Sequence, residues 1–514
     1  MKKSMVAVGV IVALGVVWTG ASWYTGKMIE SHMDDAIAQV NTQLKKVAPL
    51  AELTISPRDY QRGIFSSHVQ LVIKPQAGAK SSLLPEGKEI VLDETVRHGP
   101  FPGSIVPSMA SVNTTLINND TTKQLFTLTQ GKSPVVVDTR ISYNGDTNSD
   151  ITLESLNYDK APYKVAFAGG KFDVSVDNKG DKISTSGDLG SLTIDSVNEF
   201  DQKVGLAISS ISASGETHIS SFAERVGTQS LQAKGLTLSV EGKEMAQLGG
   251  LNVAAKSEPA ADGKHLGGQI DYALNDLKVQ NQNLGSGQLS VAISNLDGAA
   301  LHQFREQYNQ QVEALMAQPD VAENPELYQQ KLVEVLAAGL PELLKGEPAI
   351  HISPLSWKNA KGESRFTLNL NFNDPAKSAE PKTLDQAADR YIKHLDSNLV
   401  IPLDMATELM TQVARIEGYQ DDAAAKLAEQ QVKGLAAMGQ MFRITTVKDN
   451  NITTSLDYAN GEVTLNGQKM PLSDFVGMFG LGGDIMPPVP EGNGTPAVPA
   501  VPAVPAQPAT PPVQ

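Results

Sequence analysis

Histidines, cysteines and paired carboxylates carry most protein chemistry, and this sequence offers them in no recognisable arrangement. There is no cysteine, which removes thiolate chemistry, lipidation at cysteine and disulfides. The histidines stand singly, without the HxH or HExxH spacing that brings two imidazoles to one metal ion. There are eight of them: His32, His68, His98, His218, His265, His302, His351 and His394. A phosphate-binding loop, a dinucleotide fingerprint and a nucleophile elbow are also missing from the sequence.

Two local patterns deserve a test as sites, and both are weak. Asp146, Asn148 and Asp150 imitate the first three ligands of a calcium loop, but Ile151 replaces the glycine at position six and Asn157 the glutamate at position twelve. We interpret the three polar residues as turn formers beside Asn144-Gly145.

The second pattern is His98 within HGPFP, which has no partner carboxylate or second histidine at a usable spacing. Chance pairs among 57 acidic residues say nothing about an acid–base dyad. We therefore expect a protein that is not an enzyme, with no catalytic, cofactor-binding or metal-binding residue to name.

Composition narrows the range of partners. The 514 residues carry a net charge of −15, which argues against nucleic-acid binding because that needs a basic surface. Hydrophobic residues make up 41% and charged residues 19%, so most of the length should fold. Aromatic residues are only 5%, which indicates a core of Val, Leu, Ile and Ala.

The stretch Met5–Tyr24 is predicted to be a transmembrane helix. No charge occurs between Lys3 and Lys27, and about 23 helical residues span roughly 34 Å, enough to cross a hydrocarbon core of about 30 Å. Lys2 and Lys3 favour a cytoplasmic N-terminus by the positive-inside rule. The alternative is a signal peptide cleaved after Ala21, and both readings send the rest of the chain across the membrane.

The remaining chain predicts an α+β protein with an extended antiparallel meander. We divide it into an anchor (1–26), a juxtamembrane helix (27–50), a β-rich domain (51–300), a helix-rich domain with further strands (301–485) and a disordered Pro/Ala/Val tail (486–514). The β-rich part repeats short apolar–polar alternation followed by a Gly, Asn or Asp turn, which is typical of consecutive hairpins.

Helical spacing returns after residue 300. It predicts helices over Leu301–Leu315, Asn324–Leu340, Leu384–Asn398, Met405–Ile416 and Asp421–Gln440. The Asn324-Pro325 pair has the form of an N-cap followed by proline at the first helical position. Asn460-Gly461 is typical of a hairpin turn.

Several runs along the whole chain resemble the YdgA/YihF family of proteobacterial inner-membrane proteins of unknown function. These are MVAVGVIVALGVVWTGASWYTGK, HGPFP, PSMASVNTTLINN, DLKVQNQNLGSG, PLSWKN and GQMFRITT…NNITTSLDYANG…TLNGQKM. The Pro-Ala-Val tail is longer than that resemblance leads us to expect. In layout the chain is also similar to AsmA-like envelope proteins, in which an anchor precedes a long periplasmic sheet with an apolar groove.

The resemblance implies a single-pass inner-membrane protein with a cytoplasmic N-terminus and its bulk in the periplasm. It also implies a homodimer, for which Gly9 and Ala13 offer one small-xxx-small step in the anchor. We carry two hypotheses for function. In the first, helices leave the apolar face of the sheet partly open and it handles lipid or another apolar ligand. In the second, Leu301–Leu315, Asn324–Leu340 and Leu384–Gln440 cover the face, and the protein is an envelope scaffold acting as a homodimer.

Overall fold

One antiparallel sheet organises the molecule. The computed structural model describes residues 37–38, 40–42, 44–45, 51–63, 66–79, 84–98, 102, 105–106, 108–316, 318–322 and 324–479. Within these ranges 24 strands belong to a single sheet, with helices packed on and beside it. The expected fold, mainly antiparallel sheet with some helix, is confirmed at this level. Among the described residues no helix combines the length and the apolar character needed to cross a bilayer. The predicted span Met5–Tyr24 and the Pro/Ala/Val tail lie outside the described residues.

The sheet begins as a plain meander. Its first strands are β1 (Leu53–Arg62), β2 (Ser66–Pro75), β3 (Ile90–His98), β4 (Ala110–Leu116), β5 (Val135–Ile141) and β6 (Thr147–Leu153). Each of β1 to β5 pairs with the strand that follows it in sequence. Alternate side chains of β4, β5 and β6 are buried, as period-two alternation predicts. The Asn144-Gly145 turn joins β5 to β6 as expected.

The next strands are β7 (Leu156–Lys160), β8 (Tyr163–Phe167), β9 (Gly170–Val176), β10 (Lys182–Leu189), β11 (Leu192–Val197), β12 (Lys203–Ile208) and β13 (Ile211–Ile219). Two pairs of these strands, β7 with β8 and β11 with β12, lie outside the main sheet order. β6 pairs with β9, and β10 pairs with β13. The strands left over form a side branch in the order β7, β8, β11 and β12. The simple meander predicted for this part is therefore too simple.

Four long strands make the centre of the sheet. They are β14 (Arg225–Val240), β15 (Lys243–Pro259), β16 (His265–Val279) and β17 (Gln282–Asp297). β14 joins the main sheet and the side branch, because its first half pairs with β13 and its second half with β12. Glu241 and Gly242 both adopt positive φ in the turn to β15, which is the backbone that a two-residue hairpin needs.

The strands that follow residue 300 extend the same sheet. They are β18 (Ala349–Asn359), β19 (Gly362–Phe372), β20 (Ile392–Pro402), β21 (Thr446–Lys448), β22 (Asn451–Ala459), β23 (Glu462–Leu465) and β24 (Gln468–Pro471). β17 to β20 pair in sequence order and β20 then pairs with β22. The sheet therefore continues past residue 300. The domain boundary predicted at Leu301 stays a prediction.

The helices are α1 (Lys123–Leu128), α2 (Gly298–Met316), α3 (Pro319–Ala322), α4 (Pro325–Leu343), α5 (Leu384–Tyr391), α6 (Leu403–Ile416), α7 (Asp421–Met441) and α8 (Leu472–Gly477). The cap of α4 is confirmed, because the Asn324 side chain accepts hydrogen bonds from the Glu326 and Leu327 amides. The helix expected over Leu384–Asn398 was too long. It ends at Tyr391 because the residues from Ile392 onward pair with β19 and β22.

The first half of the sheet holds the dense core. Residues 37–38, 40–42 and 44–45 are helical and are called the edge helix below. Its Val40 packs among Leu71, Ile73 and Ile151, which are at most 2% exposed. Asn41 accepts a hydrogen bond from the Ile55 amide at 2.7 Å and donates one to the Ile55 carbonyl at 2.9 Å. The edge helix therefore covers the core. It also provides hydrogen-bond partners for the backbone amide and carbonyl of Ile55 on strand β1.

The C-terminal hairpin is fixed by one carboxylate. Asp389 in α5 accepts a hydrogen bond from the Tyr458 hydroxyl at 2.7 Å and another from the Gly461 amide at 3.0 Å. Burial, with the Asp389 carboxylate beside it, raises the pKa of Tyr458 well above its usual range. The predicted Asn460-Gly461 hairpin is confirmed, and α5 holds it in place.

Candidate ligand-binding surface

The most unusual surface is an apolar face in the centre of the sheet. Directly opposite one another across neighbouring strands lie Leu231, Val253, Tyr272, Leu289, Leu355, Phe366 and Leu399. A second row contains Ala255, Ile270, Val291, Ile352 and Leu368, and a third contains Ala233, Leu251 and Leu274. These rows on β14–β20 are called the open apolar face below.

None of these side chains is buried. Leu231, Leu251, Ile270 and Tyr272 are 40–43% exposed, and Leu355 is 47% exposed. From strand spacing the face measures roughly 30 Å across the strands and about 15 Å along them. Contiguous apolar patches beyond a few hundred Å² are rare on soluble monomers and usually mark an interaction surface.

Glycines mark one boundary of the open apolar face. Gly249 lies opposite Asp276, next to the Leu251–Leu274 pair. A Cβ on Gly249 would lie 2.1 Å from the Asp276 carboxylate, and one on Gly250 would lie 2.1 Å from the Asn275 amide. Two polar side chains therefore fill the space that side chains at 249 and 250 would occupy.

The apolar pattern changes at this boundary. In β15 the apolar residues after Gly249-Gly250 are Leu251 and Val253, at odd positions. Before these glycines they are Ala246 and Leu248, at even positions. β14 makes the same change between Ala233 and Leu236. Gly250, between the two halves of β15, has φ of +62°, a conformation that side-chain-bearing residues rarely adopt.

A separate apolar row lies beyond the boundary and extends onto the side branch. Leu248 lies opposite Leu236, which in turn lies opposite Ile208. The row then passes through Leu192 to Phe167 on β8. All five side chains are partly exposed. An apolar row thus runs from the central strand β15 across the side branch to β8.

The helices cover little of this surface. α6 packs against β17, β18, β19 and β20, and α7 packs on α6. α2 and α4 make most of their contacts with each other and with the end of β17 and the turn after α4. The helices over Leu301–Leu315, Asn324–Leu340 and Leu384–Gln440 were candidate covers, and within this chain they leave Leu231, Leu251, Ile270 and Tyr272 on β14–β16 exposed.

A buried ion-pair cluster attaches α2 to the sheet. Glu224, at the start of β14, is 8% exposed. Its Oε1 lies 2.9 Å from Nδ1 of His302 and 3.2 Å from Nε of Arg305. This contact fixes the helical part beside the open apolar face, and its chemistry is that of a structural ion pair.

The other histidines are placed separately. His68 contacts Asp93 at 2.8 Å and His394 contacts Asp457 at 2.8 Å, each across a strand pair. His351 bonds to Asn369. His265 lowers the pKa of Asp262 to about 2 through a side-chain hydrogen bond. Across the described part of the chain no group of three or more acidic or histidine side chains is placed to hold a metal ion.

For His32 and His98 the structure describes no side-chain contacts. His32 lies outside the described residues. His98 ends strand β3, and most of the HGPFP segment after it is not described. His218 lines an open depression of about 760 Å³ together with Asp177, Lys182 and Glu216.

The calcium-loop imitation does not converge on one point. Asp146 accepts hydrogen bonds from the Asn144 amide group and the Asn178 backbone, as a turn former does. Asn148 bonds to Ser175, one strand away. Asp150 lies directly opposite Asp138 on one side and Asp173 on the other. Desolvation raises the pKa of Asp150, and the hydrogen bond and negative charge of Asp173 raise it further.

Comparisons with known proteins cover most of the chain. A protein YdgA from Escherichia coli (strain K12) is 54% identical over 497 residues, covering 95% of this chain and 99% of that protein. An uncharacterised protein YihF from the same organism is 30% identical over 481 residues, covering 92% and 98%. An uncharacterised protein from Haemophilus influenzae is 31% identical over 175 residues, covering 32% of this chain and 46% of its own. No solved structure matches.

The resemblance seen in the sequence runs is confirmed by these relatives. The family described as "Bacterial protein of unknown function (DUF945)" matches residues 1–473. This match includes the strands of the open apolar face and the helices beside it. The chain belongs to the DUF945 family.

Proposed function

We propose that this chain is a non-catalytic protein of the bacterial cell envelope that holds lipid or another apolar ligand along its open apolar face. The observation that carries the proposal is the exposure of Leu231, Leu251, Ile270, Tyr272 and Leu355 on adjoining strands. A sheet that is apolar on one face must be covered by another layer or by a ligand. Among the described helices α6 makes the most extensive contacts with these strands, and they are with β17 to β20.

The chemistry of the face suits an acyl chain better than a polar ligand. Its three rows consist of aliphatic and aromatic side chains, and the Asp276 carboxylate lies at the boundary, outside the rows. Its extent of about 15 Å along the strands equals the depth of one leaflet in a hydrocarbon core of about 30 Å. Binding would come from area, at about 25 cal/mol per Å² removed from water, with few directional contacts.

The predicted anchor places this face near a lipid source. Met5–Tyr24 is proposed as a single span of the inner membrane, with the N-terminus in the cytoplasm and the sheet in the periplasm. The edge helix follows the anchor in sequence and is fixed to strand β1 through Asn41 and Ile55. The sheet would then extend from a firm attachment at its membrane-proximal edge.

Photo-crosslinking in cells tests the proposal on the intact protein. A photoreactive amino acid at Leu231 should give lipid adducts that mass spectrometry detects on the purified full-length chain. Gln232 is the matched control, since it is exposed, adjacent in sequence and on the opposite face of β14. Equal labelling at both positions, or none at Leu231, would contradict the proposal. Adducts between two copies at Leu231 would favour the homodimeric scaffold instead.

A further inference from the structure

The C-terminal end of α7 exposes a compact apolar cluster. Leu435, Met438, Met441 and Phe442 are 59%, 51%, 71% and 53% exposed. At about 100° per residue these four positions fall within an arc of about 120°. The neighbouring side of α7, centred about 100° away on the helix, packs on α6 through Ala424, Ala428, Val432 and Ala436. The four exposed side chains are called the α7 patch below.

One basic side chain adjoins the α7 patch in sequence, and a second lies on the strand that contacts α7. Arg443 follows Phe442 directly, and Lys448 ends β21, which contacts α7. Both are exposed, and neither forms an ion pair with any described residue. Lys433, two residues before Leu435, is already paired with Glu429 at 2.5 Å. On a chain whose net charge is −15, two unpaired cations beside an apolar cluster are a local exception.

A second exposed apolar helix face shows what this combination adds. In α4, Val333, Leu336 and Leu340 are 65%, 48% and 43% exposed. The lysines near that face are paired, Lys331 with Glu334 at 2.8 Å and Lys345 with Glu342 at 2.7 Å. Apolar side chains next to unpaired Lys and Arg are typical of helices that lie in a lipid interface. Only the α7 patch, of these two helix faces, has both features.

The α7 patch lies far from the proposed anchor along the sheet. The main sheet runs from β1 through β6, then β9, β10 and β13, and on through β14 to β20, which is sixteen strands. At about 4.8 Å per strand this is roughly 70 Å along the sheet. α6 follows β20 directly, and α7 packs on α6. The α7 patch is therefore a separate surface and not an extension of the edge helix.

We propose that the α7 patch binds the surface of an anionic lipid bilayer. Met441 and Phe442 enter the boundary between headgroups and acyl chains, and Arg443 and Lys448 contact the phosphates. The apolar side chains supply burial, and the two cations supply a contribution that salt weakens. This inference does not depend on the open apolar face, because it uses different residues on a different element.

A flotation assay with the full-length chain tests the inference. The protein is held in nanodiscs of neutral phosphatidylcholine, and vesicles containing phosphatidylglycerol are added. We expect the discs to float with anionic vesicles, at least tenfold less with neutral vesicles, and less again at high salt. Met441→Asp and Arg443→Glu should each reduce flotation several-fold.

The matched control is Leu336→Asp in α4, which should float like the wild type. Circular dichroism of each variant checks that the fold is kept, as expected for exposed positions. The inference is overturned if wild-type discs do not float, or if Met441→Asp floats as well as wild type. It is also overturned if discs associate with each other without vesicles and Met441→Asp abolishes that association, because the partner is then a second copy of the chain.

Discussion

The sheet has two regions, one before β14 and one from β14 onward, in which apolar and polar residues alternate in the same way. They differ in whether other elements cover the apolar side chains. On β1–β6 the apolar side chains are closed over by the edge helix, Leu84 and Phe126, and many are less than 5% exposed. On β14–β16 the equivalent side chains have no such cover, and only Val226 and Leu266 are buried hydrophobics there. Alternation along a strand thus specifies which side chains share a face. It does not specify whether that face becomes a core or stays open.

The largest expected effect separates the two regions by stability. Ile73→Ala, at a side chain 1% exposed in the closed region, should lower the free energy of unfolding by about 3–4 kcal/mol through lost burial and a cavity. Ile270→Ala, the same change at a side chain 40% exposed, should lower it by less than about 1 kcal/mol. Thermal unfolding of both variants measures the contrast. Equal losses would mean that the face is covered in the folded protein.

The boundary of the open apolar face offers the next test. Gly250→Ala combines a disfavoured φ of +62° with a clash against Asn275, so we expect a loss of about 2 kcal/mol. Gly242→Ala is the control, because its φ is +74° but its Cβ would meet nothing within 4 Å. It should lose only about 1 kcal/mol. Similar losses by thermal melting would show that the packing of Asn275 on Gly250 contributes nothing.

Much of the local structure followed from the sequence, and long-range order did not. The turns and the cap that the sequence predicted depend only on residues a few positions away, and a short stretch of sequence is therefore enough to predict them. They are the turns at Asn144-Gly145 and Asn460-Gly461 and the Asn324 cap. The pairing of β6 with β9 joins residues such as Ile151 and Phe172, and nothing in the intervening turns indicates it.

The candidate surface shows the same division. The sequence indicated a sheet with an apolar face and named the helices that could cover it. It missed the change from odd to even positions at Gly249-Gly250, although the glycine pair was its visible signal. How much of the face α6 covers depends on contacts between elements that are distant in sequence, such as α6 and β17, and one sequence cannot specify these contacts.

The ion pair between sheet and helix gives a smaller effect. Glu224→Gln removes the charge that His302 and Arg305 contact, and should lower the free energy of unfolding by about 1 kcal/mol, since both partners are about 40% exposed to screening. Glu216→Gln, at an exposed residue with no ion pair among the described residues, is the control and should change little. Thermal melting at low and high salt measures both. A loss for Glu224→Gln that salt does not reduce would contradict an electrostatic role.

The smallest effect concerns charge on the polar side of the sheet, where Asp138, Asp150 and Asp173 lie directly opposite one another on three strands. Because the folded protein raises the pKa of Asp150, ionisation of this carboxyl opposes folding. The favourable contribution of the protonated form is present below the ordinary carboxyl pKa and is lost as pH rises through the raised one. Asp150→Asn should therefore stabilise the protein at pH 7 by about 0.5 kcal/mol, the scale of one cross-strand pair, and the gain should vanish in acid.

The control for this last prediction is Asp188→Asn, because Asp188 lies opposite Lys171 and Ser212 and loses a favourable neighbour when neutralised. Melting temperatures of both variants between pH 3 and pH 7 should diverge as pH rises, upward for Asp150→Asn and not for Asp188→Asn. A gain for Asp150→Asn that is the same at every pH would assign it to packing or propensity. The polar side of the sheet would then tolerate three adjacent carboxylates without cost, and its charge pattern would have no bearing on stability.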